Sequence, residues 1–499
     1  MPKQKSLYEL ICENIKDGKL DKSFSLPDEE SKYSVRFADG CMDGMCVYHI
    51  CRYDMTKEDT ELLEQSVKAL EKGDVSLTDS LWAQLGKTAR AIQIVDDFQS
   101  FILEHRDEID VNTAFDCVYE ILYNSTNRES IKFALEFLEL LSIDGVQFRD
   151  VIRTLGLSDE FTIFSAWIMR RWENGNNELL ELAKKVYGWG RIHIVDMIEP
   201  ETDEIREWLL TEGTQNYIMN AYSALVCWEK SDAYNRLNEK LTLKEFGGIL
   251  TIAESLLDEG PVPGISQIDN ANEILTRIIE LSSEFSLTLD EYESIRAISI
   301  WTDHSDYMDI KEKCSEVLHS DKCINTVKKA LDNGDGIELA IMLGIDYKEQ
   351  LMLSLEKDIE KNKFLCDRLL YDERYTERVL KVFRAHIPFE KMIGEPESDS
   401  SYGENFKTAM TYTTLVGNLR NKPHFEEELV LKGLRCKKVD CRNAALHCIM
   451  KWVSIENKPL NIFSMELFDA VSELYKKEPN EDAKIKEKEL LQGKTDFDI

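Results

Sequence analysis

Residues 176–213 read NNELLELAKKVYGWGRIHIVDMIEPETDEIREWLLTEG and contain the clearest pattern of helices in the chain. Before the GWG turn at residues 188–190, apolar side chains fall at i, i+3, i+4 and i+7, the spacing of one helical face. These side chains are Leu179, Leu182, Ala183 and Val186. A second striped segment starts at Arg191 and ends at Pro200, because proline lacks the amide donor that a further turn requires. The stretch therefore predicts two helices joined by a tight turn, and a third helix from Asp203 to Gly213.

The same pair of helices recurs elsewhere in the chain. Residues 115–141 and residues 425–453 each contain an apolar stripe, a polar turn and a second stripe. Such recurrence is typical of stacked helical repeats, in which each pair buries its apolar face against its neighbours. The predicted fold is therefore all-α, a HEAT-like helical-repeat solenoid.

An arginine stands at the start of the second helix in all three copies, as Arg128, Arg191 and Arg442. In HEAT-type repeats such an arginine often belongs to a polar ladder between repeats. An exposed charge in the first helical turn would give the same pattern. Both interpretations are open at the level of the sequence.

The N-terminal part, residues 1–56, differs from the remainder. Residues 7–15 predict an amphipathic helix. Residues 33–37 and 45–50 have strand-like composition and are separated by two Asp-Gly turn signals. We therefore expect a small N-terminal hairpin that caps the first repeat.

The remainder of the chain divides into four parts. Residues 57–393 predict a helical-repeat array, and residues 406–477 predict the C-terminal helical repeats. Residues 394–405 are polar and acidic, which predicts a mobile linker. Residues 478–499 form a charge-dense tail that we expect to be frayed or disordered.

The composition is acidic and favours helices. The 499 residues include 61 Lys and Arg against 94 Asp and Glu, which gives a net charge of −33. Such a surface repels phosphate backbones and anionic headgroups, so neither nucleic acid nor a membrane is expected as a partner. With 43% hydrophobic residues but only 10 Pro and 23 Gly, the chain can bury a large core and contains few helix breakers.

The start of the chain and its cysteines predict a cytoplasmic protein. No run of about 18 apolar residues is present, and the first residues lead into an amphipathic helix rather than a signal peptide. The 12 cysteines are interpreted as reduced thiols, many of them on helical core faces, so we expect no structural disulfide.

No motif predicts a metal. Cys41, Cys46 and Cys51 recur every five residues around His49, but zinc and iron–sulfur sites usually use closer cysteine pairs. A carboxylate-bridged di-iron site uses two Glu-x-x-His pairs, and this chain has one, at residues 316–319. The patterns of zinc proteases, serine hydrolases and P-loop proteins are absent from the sequence.

The best candidate for a ligand site is the turn at residues 188–193 with the helix that follows it. Two tryptophans, an arginine and a histidine lie close together in the sequence: Trp189, Arg191, His193 and Trp208. Aromatic rings beside ionisable groups are what a ligand-orienting pocket requires. A well-packed junction between repeats has the same composition, so the sequence leaves both interpretations open.

Several motifs resemble those of known bacterial families. The runs SLYELIC at residues 6–12, FSLP at 24–27 and FADG at 37–40 resemble the start of bacterial proteins named limonene hydroxylases. The runs GWGRIH at residues 188–193 and WLLTEG at 208–213 resemble a motif of bacterial HEAT-repeat proteins, including that family. The resemblance implies hydroxylation of a cyclic monoterpene and oxidation of the resulting alcohol with NAD as cofactor.

Two functions of different class are therefore predicted. The first is an enzyme similar to limonene hydroxylase that binds a small apolar substrate between its helices and uses NAD. The second is a non-enzymatic helical-repeat scaffold whose surface binds a protein or peptide partner. The matching motifs belong to the scaffold and contain no recognised catalytic residue, so the residues favour the second function while the resemblance implies the first.

Overall fold

The computed structural model describes residues 4–27, 37–50, 53–141, 146–303, 308–401 and 404–497. Within these ranges the chain forms 31 α-helices and one two-stranded antiparallel sheet. The all-α fold predicted from the striped segments is confirmed. None of the described helices is both long enough and apolar enough to cross a membrane.

The described residues up to 323 form a first compact unit. It contains the two strands, β1 (Ile15–Lys16) and β2 (Lys19–Leu20). Its helices are α1 (Leu7–Glu13), α2 (Cys41–Met45), α3 (Lys57–Glu71), α4 (Val75–Leu85), α5 (Val95–Glu104), α6 (Val111–Asn124), α7 (Arg128–Leu140), α8 (Val146–Gly156), α9 (Thr162–Met169), α10 (Gly175–Ala183), α11 (Trp189–Met197), α12 (Asp203–Trp208), α13 (Ala221–Lys230), α14 (Ala233–Arg236), α15 (Leu243–Leu256), α16 (Ala271–Ser282), α17 (Leu289–Trp301) and α18 (Met308–Leu318).

The described residues from 324 onward form a second compact unit, and α19 (Asp321–Leu331) contains the boundary. The helices of this unit are α20 (Ile337–Met342), α21 (Lys348–Lys357), α22 (Ile359–Asn362), α23 (Asp367–Leu370), α24 (Thr376–His386), α25 (Phe389–Met392), α26 (Glu404–Leu419), α27 (Glu427–Leu434), α28 (Val439–Glu456), α29 (Leu460–Phe463), α30 (Met465–Tyr475) and α31 (Glu481–Leu491).

Helices that are neighbours in sequence pack together within each unit, as the repeats predict. Helix α6 packs on α7, α10 on α11 and α27 on α28. Several helices begin where a polar side chain satisfies a free amide of the first turn: Asn127, for example, accepts a hydrogen bond from the amide of Ser130 at 2.9 Å. Trp452, on the predicted stripe of α28, is fully buried and donates its indole N–H to the carbonyl of Leu419 at 3.0 Å.

An N-terminal hairpin is present, but it lies earlier in the chain than predicted. Strands β1 and β2 pair across Asp17 and Gly18, which both have a positive φ, at 51° and 74°. The prediction of a strand at residues 45–50 is wrong, because α2 continues there into a π-helical turn, Cys46–Ile50. The burial of this segment against other helices overrides its strand-like composition. Residues 33–36 of the other predicted strand lie outside the described residues.

The segment predicted to be a mobile linker is fixed to the turn between α27 and α28. The amide of Gly394 donates to the carbonyl of Arg435 at 3.1 Å, and the amide of Glu397 donates to the carbonyl of Lys437 at 2.7 Å. The predicted tail is also folded, since α31 packs on α28 and buries Leu490. The high density of charged residues therefore led to an incorrect prediction of mobility for both segments.

Arg442 explains why these two segments are ordered. Its guanidinium donates two hydrogen bonds of 2.6 Å to the carboxylate of Glu478, and both side chains are fully buried. It also donates to the carbonyl of Glu397 at 2.8 Å and to that of Cys436 at 3.1 Å. The side chain of Arg442 thus connects three parts of the second unit: the segment that contains Glu397, the turn between α27 and α28, and the segment that contains Glu478.

A second carboxylate, Glu487 of α31, is buried beside this ion pair, and neither of its oxygens has a hydrogen-bond partner among the described residues. Burial, and after it the negative charge of Glu478, raise the pKa of Glu487 to about 8, although Arg442 and Lys484 act in the opposite direction. The folded protein therefore binds a proton here that the unfolded chain releases near pH 4.5.

We expect Glu487→Gln to stabilise the protein at alkaline pH. Because the pKa is raised on folding, the stability that protonated Glu487 provides is complete below about pH 4.5 and is lost as the pH rises through about 8. Glutamine keeps the shape without the charge, so the variant should match the original at pH 5 and exceed its unfolding free energy by about 2–3 kcal/mol at pH 9. Urea denaturation at both pH values measures this, and an equal difference at pH 5 and pH 9 would contradict it.

Candidate functional site

The four predicted ligand-binding residues are all buried. Trp189, Arg191, His193 and Trp208 expose 2–5% of their surfaces. The structure arranges them as two pairs: the rings of Trp189 and His193 lie 6.3 Å apart, and the guanidinium of Arg191 lies 5.1 Å from the centroid of Trp208. They do not form one open pocket.

The GWG turn at residues 188–190 is packed against a carboxylate. Asp159 accepts a hydrogen bond from the amide of Gly190 at 2.9 Å. A Cβ atom on Gly188 would lie 2.2 Å from a carboxylate oxygen of Asp159, and one on Gly190 would lie 2.4 Å from the hydroxyl of Thr162. A side chain at either position would clash with these atoms, so both positions require glycine and the turn is tightly packed.

This geometry also tests whether the turn fits the nicotinamide cofactor that the resemblance implies. A dinucleotide binds with its pyrophosphate on the free amides of a glycine-rich turn at a helix N-terminus. Here the carboxylate of Asp159 already occupies the amide of Gly190. The amide that a pyrophosphate would need is therefore already satisfied within the chain, so the residues of this turn do not fit a dinucleotide.

The pair of Trp189 and His193 is covered by the segment of α2 and its π-helical turn. The ring of Tyr48 stacks 5.7 Å from His193 and 6.0 Å from Trp189, and a Cβ atom on Gly44 would lie 2.1 Å from the indole. Burial lowers the pKa of His193 to about 3, so the imidazole is neutral near pH 7. A segment of the same chain therefore covers Trp189 and His193. Because His193 is buried there, it is not placed to exchange protons with solvent.

The same segment is anchored by a group of buried charges that we call the lysine network: Lys132, Asp43, Glu129 and Glu160. The ammonium of Lys132 lies 2.6 Å from Glu160, 2.7 Å from Asp43 and 2.9 Å from Glu129. Burial alone would lower the pKa of Lys132, but the three carboxylates outweigh it and hold the pKa well above its usual value. The lysine therefore stays charged, which makes it an anchor and excludes it as a nucleophile.

The three arginines of the repeat pattern join consecutive segments. Arg128 pairs with Glu160 at 2.9 Å, and Arg442 pairs with Glu478. Arg191 has no such carboxylate and donates to the main-chain carbonyl of Glu212 at 2.7 Å. The interpretation as a polar ladder is therefore correct, and the interpretation as exposed charges is wrong.

Arg191 belongs to a surface group that we call the basic tyrosine cluster: Lys19, Lys22, Tyr187, Arg191 and Tyr217. The two tyrosine rings stack with centroids 5.3 Å apart. The cationic groups of Lys19, Lys22 and Arg191 lie 5.1, 5.5 and 5.5 Å from the centroid of Tyr187. Lys19 donates to the hydroxyl of Tyr187 at 2.6 Å, and Lys22 donates to that of Tyr217 at 2.7 Å. Three cations therefore surround one aromatic ring.

Among the residues that the structure describes, no carboxylate forms an ion pair with any of these three cations. Other cations nearby in the sequence do have such partners: Lys16 pairs with Asp21, and Lys184 pairs with Glu181 at 2.9 Å and Glu204 at 3.1 Å. In a chain with a net charge of −33, the cluster is thus a local positive surface without an internal counter-charge. Tyr217 exposes 64% of its surface, so the cluster is open to a partner.

The sequence indicated only one member of this cluster, Arg191. The hairpin that contains Lys19 is separated from Tyr187 by 168 positions, and no periodic pattern connects them. The lysine network was missed for a different reason: residues 129–139 of α7 are buried on every side, whereas its stripe predicts one solvated face. The presence of Glu and Lys in a helix that is rich in Phe, Leu and Ala is the sequence signal that could have indicated buried charges in α7.

A second concave surface lies in the second unit, around Tyr371 and Asp372. Its cations all have carboxylate partners, since Lys348 and Arg374 share the carboxylate of Asp372 at 2.8 Å and Arg368 pairs with Asp367 at 3.5 Å. No group of three His, Cys, Asp or Glu side chains suited to a metal lies within the described ranges. The cysteines described, which do not include Cys51, are free thiols.

Comparisons of the chain with protein-family models, with curated proteins and with solved structures find no match. The resemblance to limonene hydroxylases therefore stays a prediction.

Proposed function

We propose that this chain is a non-enzymatic helical-repeat scaffold that binds a protein partner through an acidic peptide segment. The observation that supports this most directly is the basic tyrosine cluster, in which Lys19, Lys22 and Arg191 have no carboxylate partner among the described residues. Positive surfaces select negatively charged partners and accelerate their encounter.

The surroundings of the cluster favour a peptide over a simple ion. The ring of Tyr217 is exposed, and so is Ile218 beside it, which together offer an apolar surface next to the lysines. Tyrosine and arginine are enriched where proteins bind each other, because they combine apolar area with polar contacts. An acidic segment with an aromatic or aliphatic side chain matches both properties.

The packing around Trp189 supports the scaffold over the terpene hydroxylase. A monoterpene would need an apolar cavity, and the rings of Trp189 and His193 are instead packed against Tyr48 and Gly44. The turn at residues 188–190 is likewise occupied by Asp159. The candidate ligand-binding residues of this turn thus have partners within the chain.

Selection of displayed random peptides on the purified full-length chain tests the proposal. We expect the enriched peptides to be acidic and to bind the double variant Lys19→Gln/Lys22→Gln about tenfold more weakly. The matched control is Lys16→Gln/Lys184→Gln, which loses the same charge from lysines that already have carboxylate partners. It should bind like the original chain.

Two outcomes would overturn the scaffold proposal. One is a set of peptides that bind both double variants equally well, because the cluster would then have no part in recognition. The other is limonene-dependent oxidation of NADH by the purified chain, which would establish the enzyme instead.

A further inference from the structure

We propose that the basic tyrosine cluster recognises a phosphoryl group on a phosphorylated side chain of the partner. This inference rests on the scaffold function proposed above and specifies its ligand. The occupant is a phosphopeptide, and the chemistry that recognises it is a dianion held by two ammonium groups and the hydroxyl of Tyr217 beside a fixed guanidinium.

The charge of the cluster matches a dianion better than a carboxylate. Lys19, Lys22 and Arg191 bring three positive charges to one ring, and no described carboxylate pairs with them. A carboxylate supplies a single negative charge, whereas a phosphorylated side chain carries about −1.5 to −2 at pH 7. The excess positive charge therefore favours the phosphoryl group.

The hydrogen-bond donors also match. Each lysine ammonium has three donors and uses one on a tyrosine hydroxyl, at 2.6 Å for Lys19 and 2.7 Å for Lys22. The hydroxyl of Tyr217 accepts from Lys22 and keeps its own hydrogen for donation. A phosphoryl group offers three acceptor oxygens to such donors, and hydrogen bonds to a charged acceptor are about twice as strong as neutral ones.

Arg191 supplies a second, independent observation. It exposes only 4% of its surface and lies between the rings of Tyr187 and Trp208, at 5.5 and 5.1 Å from their centroids. Its Nε has no hydrogen-bond partner among the described residues, and burial lowers its pKa although the negative charge of Glu212 acts in the opposite direction. Because burial outweighs that charge, the guanidinium is under-compensated, and a dianion bound at the adjacent lysines would offset this cost through a field that salt screens only weakly.

The alternative is that the lysines only fasten the N-terminal hairpin to Tyr187 and Tyr217. In that case their removal would lower stability without changing any preference between anions. Tyr217→Phe separates the two roles, because it keeps the stacked ring and removes the hydroxyl.

The test uses four fluorescent peptide pools that are degenerate except for a central phosphotyrosine, phosphoserine, glutamate or serine. We expect a phosphorylated pool to bind the full-length chain about tenfold more tightly than the glutamate pool, with inorganic phosphate as a competitor. Lys19→Gln/Lys22→Gln should abolish this preference, and Tyr217→Phe should weaken phosphopeptide binding about fivefold without lowering the melting temperature. The control Lys16→Gln/Lys184→Gln should keep the preference.

The outcomes distinguish this inference from the proposed function. Equal affinity for the phosphorylated and glutamate pools would overturn the phosphoryl site and leave the acidic-peptide scaffold intact. Absence of binding by all four pools, together with a peptide selection independent of the lysines, would overturn the scaffold itself. Tighter binding of a single-stranded oligonucleotide than of either phosphorylated pool would also overturn the inference, since the phosphate would then belong to a nucleic acid.

Discussion

Replacing Lys132 by methionine is expected to lower the free energy of unfolding by about 3–5 kcal/mol at pH 7. Methionine fills a similar volume but leaves the carboxylates of Asp43, Glu129 and Glu160 buried without the ammonium that lies 2.6–2.9 Å from each of them. Arg128 still pairs with Glu160 at 2.9 Å and Arg90 with Glu129 at 3.3 Å, but both arginines are partly exposed and neither replaces the central ammonium that contacts all three carboxylates. Urea denaturation followed by circular dichroism measures the change.

The matched control for this prediction is Lys184→Met, at a lysine whose ion pairs with Glu181 and Glu204 lie at the surface. Exposed pairs of this kind contribute about 0–1 kcal/mol, so the control should remain close to the original chain. The loss in Lys132→Met should also shrink at pH 5, where the uncompensated carboxylates can take up protons. Similar losses in the two variants would mean that the network is not buried as described.

Arg442→Met is expected to cost about 3–5 kcal/mol in the second unit, because it leaves the buried carboxylate of Glu478 without its bidentate partner. The carbonyls of Glu397 and Cys436 lose their donor as well. Residues 394–401 and 478–491 should therefore exchange their amide hydrogens faster. Hydrogen exchange of the variant, together with urea denaturation, measures both effects.

Arg442→Lys is the informative comparison. Lysine keeps the charge but lacks the planar fork that binds a carboxylate and two carbonyls at once, so most of the loss should persist. The double variant Arg442→Met/Glu478→Leu removes both charges and should recover part of the stability. Full rescue by lysine would show that only the charge matters at this position.

The fold was predictable because its signal is local and repeated. The stripe of Leu179 and Val186 before the turn at residues 188–190 defines a helix without knowledge of any distant residue. Trp452 behaves likewise, since its place on the α28 stripe is enough to predict its burial. The packing of successive helices within each unit follows from many such local patterns.

The errors occurred where long-range contacts decide local structure. Residues 45–50 have the composition of a strand, but Asp43 and Gly44 dock on α7 and α11, and this docking favours a helix. Residues 478–499 have the composition of a solvated tail, but Glu478 and Leu490 are buried on α28. In both segments the contacting residues lie far away in the sequence, so a short window of sequence does not contain them.

The candidate site was predictable only in part. Arg191 was noted because it lies near two tryptophans, yet its aromatic partners are Trp208 and a tyrosine that the pattern did not include. Lys19 and Lys22 lie in ordinary hairpin composition, and only the folded structure brings them to Tyr187 and Tyr217. The residues of this cluster come from three segments that are far apart in the sequence, so no regular spacing between them could have predicted the cluster.

The ion pair between Arg442 and Glu478 has a consequence for biosynthesis. A ribosome makes α28 before residues 478–491, so the nascent chain carries the guanidinium of Arg442 without its carboxylate, next to an apolar surface that Leu490 later covers. Exposed apolar surface of this kind aggregates and recruits chaperones. The last helix pair can therefore close only when translation has passed residue 491, and a ribosome stalled before residue 478 would release a chain that depends on chaperones to stay in solution.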